Sequence, residues 1–286
     1  MKRAAFLAGT AAAALAPRLA GAQTIRVADI VNSLPGVAGV VARTMDGGPP
    51  ELAVNADKQF PSASVIKLAI MATVYRAYDD GSAHPDKLIR MRADDMIGGS
   101  DVTGAYPPGT LWTIDSLVKA MIHVSDNSAS NALITAFGMD AINTTMRSAG
   151  MYNSHLGRHF ADVVPSWYVS KNVVTPADVA TLLYHIERGA RESITTVATP
   201  ASCRAMIDVM LGNDDGSKIV RGLPKGTPCA HKTGEITAVR NDAGIVDPFG
   251  DVPYILVVLT KELQDQGAGD DAIAAIAHRV DHTLRG

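Results

Sequence analysis

The chain has 286 residues, of which 47% are hydrophobic and 19% are charged, and its formal net charge is −3. This composition is typical of one or two globular domains with an apolar core. The sequence contains no cluster of lysine and arginine interleaved with aromatic residues, and this argues against a nucleic-acid partner.

The first 22 residues have the pattern of a secretory signal peptide. Basic Lys2 and Arg3 precede an apolar run at 4–17, and a triplet of small residues ends at Ala22. We therefore expect cleavage after Ala22 and an exported mature protein, periplasmic or secreted. The apolar run is too short to span a membrane, so we expect no membrane anchor.

Hydrophobic periodicity predicts the remaining elements, with steps of three and four residues in helices and shorter runs in strands. In chain order these are strands at 36–45 and 51–56, helices at 62–80, 113–124, 127–137, 140–150, 175–189 and 201–211, strands at 228–236, 240–246 and 252–260, and a helix at 270–284.

This order predicts a mixed α/β fold with two lobes. The first hairpin and the last three strands would form one antiparallel five-stranded sheet, flanked by helices and covered by the terminal helix. The expected α/β lobe comprises 23–58 and 205–286, and 59–204 forms an inserted all-helical lobe. A small-molecule site would lie in the cleft between the lobes.

Ser64 and Lys67 are three residues apart, so on a helix they share one face. A serine hydroxyl needs a base to become a nucleophile, and a buried lysine near other cations loses proton affinity. Alone, this spacing is expected about once by chance in a chain of this length. A helix start with a lysine that reaches solvent would then be the better explanation.

Two further motifs favour a catalytic role for Ser64 and Lys67 over an ordinary helix start. Ser125-Asp126-Asn127 lies in a short gap between predicted helices, and Lys232-Thr233-Gly234 lies in a predicted strand. Separately, the first suits a helix connection and the second an edge strand protected by lysine. Each tripeptide has roughly a one-in-ten chance or less of occurring in such a chain. All three motifs occur here, in order, on a helix start, a helix–helix gap and a strand.

With these motifs the chain resembles the class A β-lactamase family of penicillin-recognising serine enzymes. The resemblance extends over essentially the whole mature chain. It includes Asn131 at the end of the second motif, the helix start at Thr175-Pro176 and the strand order after Lys232. It implies a β-lactamase/transpeptidase-like fold and chemistry through an acyl-enzyme.

The resemblance also implies roles for single residues. Ser64 would open the β-lactam amide, Lys67 would help to deprotonate it, and Ser125 would pass a proton to the leaving ring nitrogen. The backbone N–H groups of Ser64 and Glu235 would form the oxyanion hole, a type of group whose loss costs about 10²–10³ in rate elsewhere.

Substrate binding is implied for a second set of residues. Asn127 would bind the acylamido side chain, Lys232 and Thr233 would hold the substrate carboxylate, and Gly234 lets a ligand approach the strand closely. Arg240 is a candidate for a second carboxylate contact, and a plain surface salt bridge is an equal alternative.

One feature departs from the family. Class A enzymes carry a glutamate in the Ω-loop that activates water to hydrolyse the acyl-enzyme. Counting forward from Arg158 puts Phe160 at that place, and counting back from Pro176 puts His159 there. Asp162 is the nearest carboxylate. Asp162 or His159 would then take the water, unless Asp162 simply pairs with Arg158.

Three functions stay open at this point, and a generic esterase of the same fold is a weaker fourth, because Lys232-Thr233 argues for a carboxylate-bearing substrate. The first is a serine β-lactamase with a non-standard deacylation base. The second is a D-alanyl-D-alanine peptidase or a related peptidoglycan-acting serine hydrolase. The third is a module that is acylated by β-lactams without turnover. The partner is accordingly a small-molecule β-lactam or a peptidoglycan stem peptide.

No cofactor or metal is expected. The mature protein is expected to be a monomer. Cys203 and Cys229 suit either a disulfide, which export permits, or two buried thiols.

Overall fold

The computed structural model describes residues 26–161 and 171–286. The predicted signal peptide and Asp162 lie outside the described residues. The helices are α1 Ala28–Ser33, α2 Lys67–Asp79, α3 Ile114–His123, α4 Asn127–Phe137, α5 Met139–Ser148, α6 Pro176–Glu192, α7 Pro200–Leu211, α8 Ile219–Gly222 and α9 Gln266–Arg285. The strands are β1 Val37–Thr44, β2 Leu52–Val54, β3 Phe60–Pro61, β4 Leu88–Arg90, β5 Leu111–Thr113, β6 His155–Leu156, β7 Asn172–Val174, β8 Cys229–Ile236, β9 Val239–Val246 and β10 Tyr254–Lys261.

The main sheet has five antiparallel strands in the order β2-β1-β10-β9-β8. This confirms the predicted sheet made from the first hairpin and the last three strands. The mixed α/β fold class is confirmed with it.

Both faces of the sheet are covered, and the alternation of side chains along β1 shows how. Val40 packs in a cluster with Ile273 and Val280 of α9, whereas Val41 packs in the larger cluster that includes Leu183 of α6. Strands that are covered on both faces read as continuous apolar runs, as the sequence around 36–45 does.

The helices of the middle region surround α2, whose residues are buried on all sides from Lys67 to Tyr75. Helices α3, α4, α5 and α7 pack against it. The predicted division into lobes at 59 and 205 stays a prediction, and residue 205 lies inside α7.

Two small sheets were not predicted. Strands β3, β7 and β6 form one, and the hairpin of β4 and β5 forms the other. Each of these strands has only two or three residues, which is too short for a period of two to be recognised in sequence. The sheet of β3, β7 and β6 holds the segment that leads to Ser64. The N–H of Ser62, just after β3, donates to the carbonyl of Asn172 on β7 at 2.9 Å.

Cys203 and Cys229 are both buried and free. This agrees with the alternative of two buried thiols. No helix within 26–161 and 171–286 is both long and apolar enough to cross a membrane.

Candidate active site

A cavity of about 520 Å³ lies where α2, the α3–α4 connection and β8 meet. Among the predicted site residues, those that line it are Ser64, Ser125, Asn127, Lys232, Thr233, Gly234 and Glu235. The three motifs are thus brought together at one place, although 168 residues separate the first from the last in sequence.

Ser64 lies in a 3₁₀ turn, Ala63–Ile66, that leads directly into α2. In this geometry residues i and i+3 eclipse, so Ser64 and Lys67 share a face. The segment before Ser64 is tied to the main sheet, because the Asn241 side chain of β9 donates to the carbonyls of Pro61 and Ser62 at 2.9 and 3.3 Å. Asn241 was not singled out from the sequence.

Lys67 is fully buried behind the cavity wall. Its Nζ donates to the carbonyl and hydroxyl oxygens of Ser125 at 2.6 and 3.1 Å, and to Oδ1 of Asn127 at 2.9 Å. Burial, and after it the charge of Lys232, lower the pKa of Lys67 well below its usual value. A lysine whose pKa is lowered in this way gives up its proton more readily and can then act as a base.

The α3–α4 connection holds Ser125 in a strained conformation with φ at +59°. Such backbone strain persists only where the surroundings fix it. Here Asp126 does so, because its buried carboxylate accepts hydrogen bonds from the N–H groups of Val102, Thr103 and Ala129 and from the Thr103 hydroxyl. Asp126 therefore positions both Ser125 and the N-terminus of α4.

Residues 232–236 of strand β8 form another part of the cavity wall. A Cβ atom added at Gly234 would lie 2.9 Å from the backbone nitrogen of Ser64, so only glycine fits at this contact. Lys232 is fully buried, and burial lowers its pKa to about 8. Lys232 and Thr233 line the same cavity as Ser64, so the strand brings a cation and a hydroxyl to this cavity.

Phe160 lines the same cavity, and its ring centre lies 4.6 Å from Lys67 Nζ. Its backbone is fixed to α4 by Asn131, whose Oδ1 accepts from the Phe160 N–H at 2.8 Å and whose Nδ2 donates to the Phe160 carbonyl at 3.1 Å. The residue that faces the cavity is therefore Phe160, the one found by counting forward from Arg158, and not His159, the one found by counting back from Pro176.

His159 points elsewhere. Its Nε2 lies 3.2 Å from the Thr135 hydroxyl, and His159 does not line the cavity. Asp162 falls in the part of the chain that is not described. The sequence offered Asp162 and His159 as deacylation bases. Of these two, only His159 lies among the described residues, and it contacts α4 outside the cavity.

Arg240 also lies away from the cavity lining. Its guanidinium donates to the carbonyls of Ile236 and Val239 and to the side chain of Gln266. Its Nε lies 3.5 Å from Asp270. These contacts match the salt-bridge alternative for Arg240 and leave the role of a carboxylate contact as a prediction.

Lys218 is a third buried cation of this region, and the sequence did not indicate it. It is fully buried and donates to Asp215, Ser217 and Glu235. Its pKa is raised, because these bonds outweigh the effect of burial, which acts to lower it. A lysine in the polar run 213–218 gives no sequence signal for burial, since such runs ordinarily lie in solvent.

The chain is similar to β-lactamases over nearly its whole length. The family described as "Beta-lactamase enzyme family" matches residues 23–284. The chain belongs to the class A β-lactamase family. The family predicted from the three motifs is thus confirmed.

Individual relatives are distant but extensive in coverage. The β-lactamase of Streptomyces albus G is 30% identical over 243 residues, which cover 80% of this chain and 74% of that protein. The structure of an ancestral class A β-lactamase superposes with a TM-score of 0.80 at 27% identity, over 91% of this chain and 98% of that one. The structure of PBP-A superposes with a TM-score of 0.81 at 27% identity, over 90% and 93%.

Proposed function

We propose that this protein is a serine β-lactamase that opens the β-lactam amide through an acyl-enzyme on Ser64. The observation that carries this proposal is the arrangement of Lys67. It is fully buried, its pKa is lowered, and it is bonded to Ser125 directly behind the cavity that Ser64 lines.

Acylation follows from this arrangement. Neutral Lys67 takes the Ser64 proton, and the Ser64 oxygen attacks the carbonyl carbon of the lactam ring. The proton then reaches the ring nitrogen through the hydroxyl of Ser125, which lies 3.1 Å from Lys67 Nζ. As the C–N bond breaks, the electron pair goes to that nitrogen and the proton neutralises it.

The cavity also suits the rest of a β-lactam. Protonated Lys232 and the Thr233 hydroxyl would hold the substrate carboxylate, and the close approach of Gly234 to the Ser64 backbone leaves the N–H groups of Ser64 and Glu235 to form the oxyanion hole. Asn127 lines the cavity and would bind the acylamido group. The fold neighbour PBP-A supports acylation, because a mutant of it has been solved as an acyl-enzyme complex with penicillin G.

Deacylation is proposed to be the slow step. Phe160 puts an apolar ring beside Lys67, where the family resemblance leads one to expect a carboxylate base. Water next to the acyl-enzyme then lacks a partner at that position, and Asp162 remains the candidate base within the loop. The same observation favours the second candidate function, a peptidoglycan-acting peptidase or a binding module with a long-lived acyl-enzyme.

We also propose that the protein acts as a monomer outside the cytoplasm, after removal of residues 1–22 and without a membrane anchor. The signal-like pattern of those residues supports this proposal, and so does the substrate, since peptidoglycan and the drugs that mimic it lie outside the cytoplasmic membrane.

The experiment that tests the function is covalent labelling with a fluorescent penicillin, followed by denaturing electrophoresis. We expect the protein to be labelled, Ser64→Ala to lose the label, and the exposed-site control Ser82→Ala to keep it. Labelling of Ser64→Ala at the rate of the unaltered protein would show that Ser64 is not the nucleophile.

A further inference from the structure

Only the backbone N–H of Glu235 has a role in the proposed oxyanion hole, and the carboxylate of its side chain has none so far. It lines the cavity and is 46% exposed, and its Oε1 accepts a hydrogen bond from the buried Nζ of Lys218. Lys218 is in turn held by Asp215 at 2.8 Å and by the Ser217 hydroxyl at 2.9 Å. A carboxylate is thereby fixed at the wall of the cavity.

Three carboxylates lie around the buried Lys218. Its Nζ contacts the carboxylates of Asp215 and Glu235 and lies 3.8 Å from that of Asp270. Arg240 adds one cation, 3.5 Å from Asp270. Glu235 is the most exposed of these three carboxylates, with 46% of its side chain accessible against 28% for Asp215 and 26% for Asp270.

The Glu235 carboxylate lies near the proposed binding place of the substrate carboxylate. Thr233 and Glu235 are two residues apart on β8, so their side chains share one face at a separation of about 7 Å. Thr233 is 5% exposed and lines the cavity.

We propose that Glu235 selects substrates by charge. Its carboxylate disfavours β-lactams that carry a second negative charge beside the ring carboxylate, and it favours those that carry a cationic group there. This inference rests on the proposed function. Because Glu235 is partly exposed, solvent weakens its field, and an effect of about five- to tenfold on the acylation rate is expected for each unit charge.

The test uses three cephalosporins with the same acylamido group and a neutral, a cationic or an anionic substituent at the 3-position. Acylation rate constants are measured for the unaltered protein and for Glu235→Gln, which keeps the backbone N–H and the side-chain size. The ratio of the cationic to the anionic drug cancels intrinsic reactivity when the two proteins are compared. The two drugs differ by two unit charges, so we expect Glu235→Gln to lower this ratio by about 25- to 100-fold.

The matched control is Asp101→Asn, which removes an exposed acid that lines the same cavity. It should change the ratio less than twofold. A second measurement raises the salt concentration, which should lower the ratio in the unaltered protein and leave Glu235→Gln nearly unaffected.

An unchanged ratio in Glu235→Gln, or an equal change in both variants, would overturn charge selection by Glu235 while acylation itself stays intact. Absence of any adduct with all three drugs in every variant would instead overturn the proposed function, and the inference with it.

Discussion

The Nζ of Lys67 lies 4.6 Å from the centre of the Phe160 ring. An aromatic ring at this position contacts the buried amine through its face and gives water nothing to bond to. The residue that should prepare Ser64 for acylation is thus shielded on the side from which a deacylating water would be activated. In the proposed mechanism, Lys67 and Ser125 serve acylation, and Phe160 offers no base for deacylation.

Replacement of Phe160 by glutamate should shorten the lifetime of the acyl-enzyme. A carboxylate at this position could act as a general base on water, and general-base catalysis contributes about 10²- to 10⁴-fold. We expect the acyl-enzyme of Phe160→Glu to be hydrolysed at least tenfold faster, as measured by the decay of the penicillin adduct after the excess drug is removed.

Phe160→Leu is the matched control, since it removes the ring and adds no base. Its adduct should live about as long as that of the unaltered protein. Equal lifetimes for Phe160→Glu and Phe160→Leu would show that residue 160 does not limit deacylation.

The acylation rate should have a bell-shaped dependence on pH. It rises with pH as Lys67, whose pKa is lowered by burial and by Lys232, becomes the neutral base. It falls as the pH passes about 8, because burial lowers the pKa of Lys232 to about 8 and the neutral amine no longer binds the substrate carboxylate. Stopped-flow measurements of acylation between pH 5 and 10 would show both limbs.

Lys232→Arg tests the alkaline limb, since arginine stays protonated throughout this range. The variant should lose the fall above about pH 8, even where its overall rate is lower. Lys119→Arg, at a half-exposed position on α3, should keep the limb. An alkaline limb that survives in Lys232→Arg would assign it to another group.

Asp126→Ala should destabilise the fold. It removes a buried N-cap carboxylate and leaves the N–H groups of Val102, Thr103 and Ala129 without their acceptor. Unsatisfied buried donors cost about 1–3 kcal/mol each, so we expect the free energy of unfolding in urea to fall by about 3 kcal/mol or more. Thr103→Val removes only the hydrogen bond from the Thr103 hydroxyl to Asp126 and should cost about 1 kcal/mol. Equal losses for the two variants would contradict this account of Asp126.

Gly234→Ala should impair acylation more than folding. The added Cβ would lie 2.9 Å from the Ser64 backbone nitrogen, so β8 or the Ser64 turn must move apart. We expect the acylation rate to fall at least tenfold, because an oxyanion donor that is displaced loses its contact with the developing charge. Gly267→Ala is the control, since a Cβ there meets only Asp265 at 3.4 Å. A rate within twofold of the unaltered protein in Gly234→Ala would place the oxyanion hole elsewhere.

The sequence predicted the large elements because their apolar period is long enough to recognise. The sheet that joins β1 to β10 follows from a hairpin at one end of the chain and three apolar strands at the other. The motifs around Ser64, Ser125 and Lys232 could be found because rare residue types occur there in a fixed order.

The burial of Lys218 and the position of Phe160 could not be predicted, because they depend on tertiary contacts that the local sequence does not indicate. Lys218 lies in a polar run and is buried only because Asp215 and Glu235 surround it. The place of Phe160 in the cavity depends on its two hydrogen bonds to Asn131, 29 residues away, and counting along the loop could not decide between it and His159.

Intact-protein mass spectrometry over time, with a small excess of a penicillin, tests the central claim most directly. We predict a mass increase of one penicillin, located on Ser64 by peptide mapping, which accumulates while drug is present and then declines as hydrolysed drug is released. An absence of any adduct on Ser64, with the drug either untouched or consumed equally by Ser64→Ala, would contradict the account.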